Sequence, residues 1–155
     1  MKIVFLDIDG VLATVRSILG ADVTPPYLEP DTVALLVRLC EEGDEPVRVV
    51  ISSSWRYLYG QAKVFERLEQ FGLDRSFIHE DWQTVSFDDE TRGDEIGEWL
   101  SRHPEVGNFV ILDDDSDMEP YVKHLVQTTF ELGFLESHWQ AARSILHGDS
   151  APERS

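Results

Sequence analysis

Short unbroken runs of apolar residues alternate along the chain with segments in which apolar residues recur every three or four positions. The unbroken runs are typical of strands buried on both faces, and the periodic segments are typical of helices with one apolar face. The predicted strands span residues 2–6, 47–51, 109–112 and 125–128, with a weak strand around Phe77 and Ile78. The predicted helices span residues 31–42, 57–71, 93–102 and 137–147. This alternation predicts an α/β protein with a three-layer Rossmann-like fold around a mostly parallel sheet.

Two segments depart from the alternation. Residues 12–30, which contain Gly20, Pro25 and Pro26, form the longest irregular stretch, and we expect a flap beside the end of the first strand. Residues 148–155 are small and polar, and we expect them to fray. No linker rich in Gly, Ser or Pro divides the remainder. The sequence therefore predicts a single domain over residues 1–147 and a frayed tail over residues 148–155.

Composition and charge narrow the range of functions. The 155 residues include 13 Lys and Arg against 30 Asp and Glu, a formal net charge of −17. Such a surface repels a phosphate backbone, which excludes a protein that binds long stretches of nucleic acid. Asp7 ends the first apolar run far short of a signal-peptide core, and no other run approaches a membrane span, so we expect a cytoplasmic protein without a membrane partner. The single Cys40 lies at helical spacing with Val33 and Leu36, and we expect it to be a small buried hydrophobic residue.

Polar residues follow three of the predicted strands. They are Asp7 and Asp9 after the first strand, Ser52, Ser53 and Ser54 after the second, and Asp113, Asp114 and Asp115 after the strand at residues 109–112. Because the carboxyl ends of parallel strands lie at one edge of a sheet, where open α/β folds bind ligands, we expect these residues to share a cleft. Carboxylates gathered in one cleft repel one another unless a cation lies among them. An oxygen-only donor set favours a hard ion, and Mg²⁺ is favoured over Ca²⁺ because neither acidic segment has the Gly and Glu spacing of an EF-hand.

The same residue types suit the chemistry of phosphate esters. An Asp at the end of a rigid strand can accept a phosphoryl group, and a carboxylate two positions later can protonate the leaving oxygen and then deprotonate a water. The serines supply a hydroxyl and, at the start of a helix, backbone N–H groups for phosphate oxygens. The transferring phosphate also needs a cation, for which Arg92 at a helix start is the first candidate and Lys63 and Lys123 are alternatives.

Four segments carry a resemblance to a known family. Residues 5–12, FLDIDGVL, closely resemble the first motif of the haloacid dehalogenase (HAD) superfamily of phosphotransferases. The order of acidic pair, hydroxyl, cation and acidic pair is similar to the four motifs of that superfamily, over about residues 2–128. Residues 51–56 (ISSSWR), 92–100 (RGDEIGEWL) and 111–118 (ILDDDSDM) further resemble the small stand-alone HAD domains associated with Swiss army knife RNA-repair proteins.

The resemblance implies a role for each acidic residue. Asp7 is implied to be the nucleophile and a metal ligand, and Asp9 to be the acid and base, with its backbone carbonyl also on the metal. Asp113 and Asp114 are implied to be the last metal carboxylates. The spacing from Asp113 to Asp117 suggests a different register for this last motif, so the choice among the three stays open.

The hydroxyl and the cation both differ from the usual residues of the family. The hydroxyl is a Ser where many relatives carry Thr, and Ser52 and Ser53 are both candidates for phosphate binding. We favour Ser52 because it directly follows the strand. Arg92 stands where Lys is usual, and its planar fork contacts phosphate differently from the point charge of an ammonium group.

Together these features predict a Mg²⁺-dependent phosphomonoester hydrolase, a HAD-type phosphatase that works through an aspartyl-phosphate. The segments between Asp9 and Ser52 and between Arg92 and Asp113 have no room for an inserted cap domain, so we expect a capless HAD-type core with an open cleft. Such a cleft admits a phosphate on a polynucleotide end or a protein, as well as a small phosphate ester. The alternatives are a binding module that senses phosphate or a partner without turnover, and a phosphotransferase. The sequence names no protein partner.

Two further sets of side chains are assigned to packing or to the surface. Trp55, Tyr57 and Tyr59 follow the serine run and could stack on a base, but their spacing favours packing against a helix. The histidines His79, His103, His124, His138 and His147 are scattered and show no metal-ligand spacing, so we expect each of them in the core or at the surface.

Overall fold

The structure, a computed structural model, describes residues 1–86 and 88–148. Its strands are β1 (Lys2–Leu6), β2 (Val47–Ile51), β3 (Ile78–Gln83), β4 (Asn108–Asp113) and β5 (Leu125–Gln127). They form one sheet in the order β3-β2-β1-β4-β5, in which every neighbouring pair is parallel. The helices are α1 (Val15–Leu19), α2 (Pro30–Glu41), α3 (Trp55–Leu58), α4 (Gln61–Gln70), α5 (Arg92–Ser101) and α6 (Glu136–His147), with short 3₁₀ turns at Arg75–Phe77 and Val122–His124.

Helices cover both faces of the sheet, and the central strand β1 contributes to both layers of the core. Its alternate side chains point to opposite faces. Val4 and Leu6 pack in the larger core, which includes buried side chains of α2, α4 and α6. Ile3 and Phe5 pack in the second core, which includes Trp99 of α5. The predicted three-layer Rossmann-like α/β fold is therefore confirmed.

Strongly apolar segments form the elements that the pattern predicts. The strands at residues 2–6 and 47–51 coincide with β1 and β2, because four of the five residues in each are apolar and buried. The helices at residues 31–42, 93–102 and 137–147 agree with α2, α5 and α6 to within one residue at each end. The ends of β4 and β5 agree equally closely with the prediction.

Three elements differ from the prediction. The single helix predicted over residues 57–71 is wrong, because Gly60 adopts a φ of +83° and divides the segment into α3 and α4. The irregular stretch at residues 12–30 contains the short helix α1, where the backbone N–H of Thr14 donates to Ser17 Oγ at 2.7 Å. The weak third strand begins at Ile78 and continues to Gln83, while Phe77 belongs to a 3₁₀ turn.

Cys40 lies on the inner face of α2 and is buried, as its helical spacing predicts. Burial disfavours the thiolate and raises the pKa of this thiol to about 12. The thiol is therefore protonated at neutral pH and packs as a small hydrophobic group.

Two parts of the chain lie outside the described residues, namely Phe87 and residues 149–155. The single domain over residues 1–147 and the frayed tail over residues 148–155 stay predictions, with only Gly148 of the tail described, at the end of α6. Along residues 1–86 and 88–148, no helix combines the length and the apolar character that crossing a membrane requires.

Candidate active site

The register of the sheet brings the ends of three strands to the same level. Leu6 of β1 pairs with the last residue of β2 on one side and with Leu112 of β4 on the other. The backbone N–H of Asp7 then donates to the carbonyl of Leu112, and that of Ser52 donates to the carbonyl of Leu6, both at 2.9 Å. Asp7, Ser52 and Asp113 consequently lie side by side at the carboxyl edge of the sheet.

Three carboxylates meet at this edge. One ligand oxygen from each of Asp7, Asp113 and Asp114 lies within 4.8 Å of the others. Burial raises the pKa of Asp7 well above its ordinary value, and the charge of Asp113 raises it further. Burial likewise raises the pKa of Asp113, to about 6. Buried carboxylates this close need a cation in order to ionise together, and an all-oxygen donor set fits a hard divalent ion such as Mg²⁺.

Gly10 allows Asp114 to approach the cluster. Its φ is +86°, and a Cβ atom at this position would lie 2.3 Å from Asp114 Oδ2. The turn is held from the other side by Thr128, whose hydroxyl donates to the carbonyl of Gly10. The glycine after the two aspartates is therefore required both for the turn and for the close approach of Asp114.

The serine run offers one hydroxyl to the site. Ser53 Oγ accepts the backbone N–H of Trp55 at 3.1 Å, so it holds the start of α3. Ser52 is 2% exposed, and within the described part of the chain its Oγ has no hydrogen-bond partner. A buried hydroxyl beside buried carboxylates is suited to contact a phosphate oxygen, and this arrangement favours Ser52 over Ser53.

Arg92 lies among the carboxylates. Its Nη1 atom is 3.3 Å from Asp113 Oδ2 and 3.7 Å from Asp7 Oδ1, and it donates to the carbonyl of Ser52 at 2.6 Å. Gly93 lets the start of α5 pack closely, because a Cβ there would lie 2.2 Å from a backbone carbonyl of the segment after β4. Arg92 is one-quarter exposed, so its guanidinium links the buried cluster to the open cleft.

The remaining acidic and cationic candidates lie elsewhere. Asp117 Oδ2 accepts the backbone N–H of Arg92 at 3.2 Å, so this carboxylate holds the start of α5, while the close carboxylate group consists of Asp7, Asp113 and Asp114. Lys63 lies on α4 beside Glu66 and Arg67. Lys123 precedes β5, which places it toward the opposite edge of the sheet.

A family model described as "HAD domain in Swiss Army Knife RNA repair proteins" matches residues 3–139. The chain belongs to this HAD family. The match confirms the resemblance drawn from the four sequence motifs, and HAD membership is typical of hydrolases of the phosphatase type. Comparison with curated proteins and with solved structures finds no match.

The second aspartate of the first HAD motif, Asp9, accepts a hydrogen bond from an indole. Asp9 Oδ1 accepts Trp55 Nε1–H at 2.8 Å, across 46 positions of sequence. Burial raises the pKa of Asp9, and the indole donor opposes this shift by stabilising the carboxylate. Asp9 lies outside the group of three close carboxylates, so its side chain is available for proton transfer.

A buried ion pair connects the serine loop of the HAD domain to α5. Arg56 Nη1 donates to the carbonyls of Ser52 and Ser53, at 2.6 and 2.7 Å. Its Nη2 lies 3.1 Å from Glu95 Oε2, and both side chains are less than a tenth exposed. Because Glu95 lies one turn beyond Arg92 on α5, this pair positions the serine hydroxyl relative to the guanidinium of Arg92.

Sequence reasoning missed several residues that shape the site. It favours packing over base stacking for Trp55 and predicts no contact with Asp9, and it gives no role to Arg56, Glu95 or Thr128. It also gave none to Thr84, a buried residue that follows β3 and whose backbone N–H donates to the last residue of β2. The dipeptide after the serines, Trp55-Arg56, is a visible signal only through the family resemblance.

The aromatic residues after the serine run separate into two groups. Trp55 is buried and contacts Tyr59 edge to face, with ring centroids 5.1 Å apart, in agreement with the expectation of packing. Tyr57 differs, because it is 64% exposed and its ring lies 5.3 Å from the guanidinium carbon of Arg56. Tyr57 is therefore the aromatic side chain of this group that faces solvent.

Proposed function

We propose that the chain is a Mg²⁺-dependent phosphomonoester hydrolase that works through an aspartyl-phosphate on Asp7. The observation that carries the proposal is the meeting of Asp7, Asp113 and Asp114 within 4.8 Å of one another, with the guanidinium of Arg92 among them. The hydroxyl of Ser52, which has no hydrogen-bond partner among the described residues, lies at the end of the neighbouring strand. The family match supports a phosphatase-type role, and the geometry of this chain's own residues supports the detailed mechanism.

The proposed metal ligands are Asp7, Asp113 and Asp114, with the backbone carbonyl of Asp9 as a further ligand. A bound Mg²⁺ supplies positive charge to the phosphate oxygens and keeps the buried carboxylates ionised. The chain contributes the second cation itself, because Arg92 stands next to Asp7 and reaches the open cleft. Ser52 donates its hydroxyl to a phosphate oxygen.

The reaction divides into two displacements at phosphorus. An oxygen of Asp7 attacks the phosphorus, the ester P–O bond breaks, and Asp9 gives its proton to the leaving oxygen. Asp9 then takes a proton from a water whose oxygen attacks the phosphorus. The P–O bond to Asp7 breaks, inorganic phosphate leaves, and the Asp7 carboxylate is restored. Trp55 stabilises the ionised state of Asp9 between the two steps, since its N–H donates to that carboxylate.

We propose that the substrate presents its phosphate from outside the cleft. The chain from the end of β1 to the start of β2 holds only α1 and α2, and six residues connect α5 to β4, so neither place holds a cap domain. A terminal phosphate on a polynucleotide is the first candidate, in line with the RNA-repair context in the family description. The charge of −17 opposes contact with a long strand, but screening limits this repulsion to about 10 Å at 0.1 M salt.

Phosphate release from a panel of esters tests the proposal. The panel contains p-nitrophenyl phosphate, oligoribonucleotides with a 5′- or a 3′-phosphate, and a phosphopeptide, each with Mg²⁺ and with a chelator. We expect Mg²⁺-dependent release that Asp7→Asn reduces by at least about 10³-fold, because the nucleophile is lost. Circular dichroism of the variant serves as the folding control. Failure to release phosphate from any ester would favour the binding module, and full activity of Asp7→Asn would remove the proposed nucleophile.

A further inference from the structure

A second cluster of metal-binding side chains lies at the opposite edge of the sheet. His79 stands near the start of β3, while His103 and Glu105 lie in the connection from α5 to β4. One ligand atom from each of these three residues lies within 4.8 Å of the others, and the two imidazole rings are 5.0 Å apart between centroids. The fold therefore brings together two histidines that are 24 positions apart and that show no ligand spacing in the sequence.

The donor types of this cluster differ from those of the active site. Two imidazole nitrogens and one carboxylate oxygen suit a borderline ion such as Zn²⁺, for which two His and one Glu are a known ligand set. The active-site group offers carboxylate oxygens alone, which suit Mg²⁺. The donor sets at the two edges of the sheet therefore suit different metals.

The surroundings of His103 fix the orientation of its ring. Its Nε2 atom lies 2.8 Å from Asp81 Oδ2, and its Nδ1 atom lies 2.9 Å from Glu105 Oε1. An ion that takes Nδ1 and the Glu105 carboxylate as ligands would replace the contact between these two atoms, while the proton on Nε2 is donated to Asp81, as in the carboxylate–histidine–metal arrangement of zinc sites. Asp81 is itself held by Arg102, and the His103 ring stacks on Trp99 at 3.9 Å. The ligand is thus oriented before any ion arrives.

His79 is the third donor, and its ring already takes part in a hydrogen bond that metal binding would disturb. Its Nδ1 atom accepts the backbone N–H of Asp81 at 2.9 Å, which places the proton of the neutral ring on Nε2. A metal that binds Nε2 must displace this proton. If the proton moves to Nδ1, the hydrogen bond from the backbone N–H of Asp81 is lost as well. Burial lowers the pKa of His79, so the ring is neutral at physiological pH. We therefore expect weaker affinity than that of a closed structural zinc site.

We propose that His79, His103 and Glu105 form a Zn²⁺ site that is separate from the catalytic edge. The cluster borders a cavity of about 580 Å³, which leaves room for water as a fourth ligand. Arg48, Met1 and Glu80 also line this cavity. The proposal does not depend on the proposed phosphatase function.

Calorimetric titration with Zn²⁺ tests the proposal on the full chain at pH 7.5. Excess Mg²⁺ is present throughout, so that the active-site carboxylates are occupied. We expect one Zn²⁺ per chain with a micromolar Kd, weakened at least about tenfold by Glu105→Gln or His79→Gln. Asp81→Asn, which leaves all three ligands in place, should weaken binding by about 10- to 100-fold. Glu66→Gln and His138→Gln are the matched controls and should bind Zn²⁺ as the unmodified chain does.

A measurement on the unmodified chain covers the case in which a variant fails to fold. Zn²⁺ should shift the side-chain ¹⁵N resonances of His79 and His103 while those of His138 stay in place. Unchanged resonances of His79 and His103, or Zn²⁺ binding that survives Glu105→Gln and His79→Gln but is lost in Asp113→Asn, would overturn the proposal. In the latter case Zn²⁺ binds the active-site carboxylates instead.

Discussion

At the scale of single residues, the indole of Trp55 affects the pKa and the orientation of Asp9, the aspartate that is proposed to transfer protons. Its N–H donates to Asp9 Oδ1 and stabilises the ionised form, while burial of Asp9 has the opposite effect on the pKa. Removing the donor leaves only the effect of burial and of the neighbouring charges. The pKa of Asp9 should then rise further, and its carboxyl group should lose a fixed orientation.

Trp55→Phe should therefore move the pH profile and reduce turnover. The limb of the kcat profile that reports Asp9 should shift to higher pH, and kcat at pH 7 should fall by about tenfold, less than the 10²–10⁴ that a general acid or base contributes in full. The loss should be larger for an alkyl phosphate than for p-nitrophenyl phosphate, because a poor leaving group needs the proton more. Tyr59→Phe keeps the ring that contacts Trp55 and is the control. An equal loss for both esters with an unshifted profile would assign Trp55 a purely structural role.

At the scale of elements, the ion pair between Arg56 and Glu95 joins the start of α3 to α5. Arg56 also donates to the carbonyls of Ser52 and Ser53. These carbonyls keep other donors, namely Arg92 Nη1 and the backbone N–H of residue 56, so the main consequence of losing the Arg56 side chain is a buried carboxylate without its partner. Breaking a buried pair on one side typically costs about 3–5 kcal/mol. Glu95 is different, because burial raises the pKa of its carboxyl group and an amide can still accept from Arg56.

We expect Arg56→Met to lower the free energy of unfolding by about 3 kcal/mol and Glu95→Gln to lower it by about 1 kcal/mol. Urea unfolding of both single variants and of the double variant measures the two effects and their coupling. The double variant should lose less free energy of unfolding than the two single variants lose together, because removing the charge of Glu95 also removes the unpaired buried carboxylate that Arg56→Met creates. Strict additivity would show that the two side chains do not act as a pair.

The break between α3 and α4 offers a direct test of the corrected helix. Gly60 has a φ of +83°, and a Cβ atom there would meet no atom within 4 Å. Gly60→Ala should lower the free energy of unfolding by about 1–2 kcal/mol, because a left-handed backbone disfavours a side chain even where space is open. Gly107→Ala is the control, because it also has open space but no positive φ. A higher free energy of unfolding for Gly60→Ala would contradict the break and would support the continuous helix that the periodicity predicts.

The helix error shows which parts of the fold local patterns can predict. β1 and β2 are predicted to the residue because four of the five residues in each buried strand are apolar, whereas the apolar period around Gly60 continues across the break and hides it. The strand-end aspartates are visible because topology alone brings them together. The contact of Trp55 with Asp9 depends on how α3 packs against the turn after β1, and no pattern within either segment predicts it.

At the scale of the whole molecule, the parallel sheet separates two kinds of polar cluster. The carboxylates of Asp7, Asp113 and Asp114 gather at the carboxyl edge, and His79, His103 and Glu105 gather near the amino edge. In the first group Asp7 and Asp113 are buried and Asp114 is half-buried, in a chain that carries a net charge of −17. Ionisation of this group therefore opposes folding, and the proposed binding of Mg²⁺ would offset this cost and link stability to both pH and Mg²⁺.

Mg²⁺ should stabilise the folded chain at pH 7.5 by about 2.7 kcal/mol when its concentration is 100 times the Kd. The effect should shrink toward pH 5, because the pKa values of Asp7 and Asp113 are raised and protons then compete with the ion. Thermal unfolding with and without Mg²⁺ measures it, with NaCl at equal ionic strength as the control for general screening. Equal stabilisation by Mg²⁺ and NaCl would contradict a specific site.

Asp113→Asn isolates the contribution of one carboxylate to this linkage. Burial raises the pKa of Asp113 from 3.8 to about 6, so the folded chain binds this proton more tightly than the unfolded chain does. The resulting contribution to the free energy of unfolding is fully present below pH 3.8 and is lost as the pH rises through about 6. Without Mg²⁺ at pH 7.5, Asp113→Asn should exceed the unmodified chain in stability by about 1–3 kcal/mol, since each pKa unit corresponds to about 1.4 kcal/mol. The difference should disappear near pH 4 and reverse in saturating Mg²⁺, because the variant loses a ligand. A variant that is less stable than the unmodified chain at pH 7.5 without Mg²⁺ would show that the ion pair of Asp113 with Arg92 outweighs the cost of burying its charge.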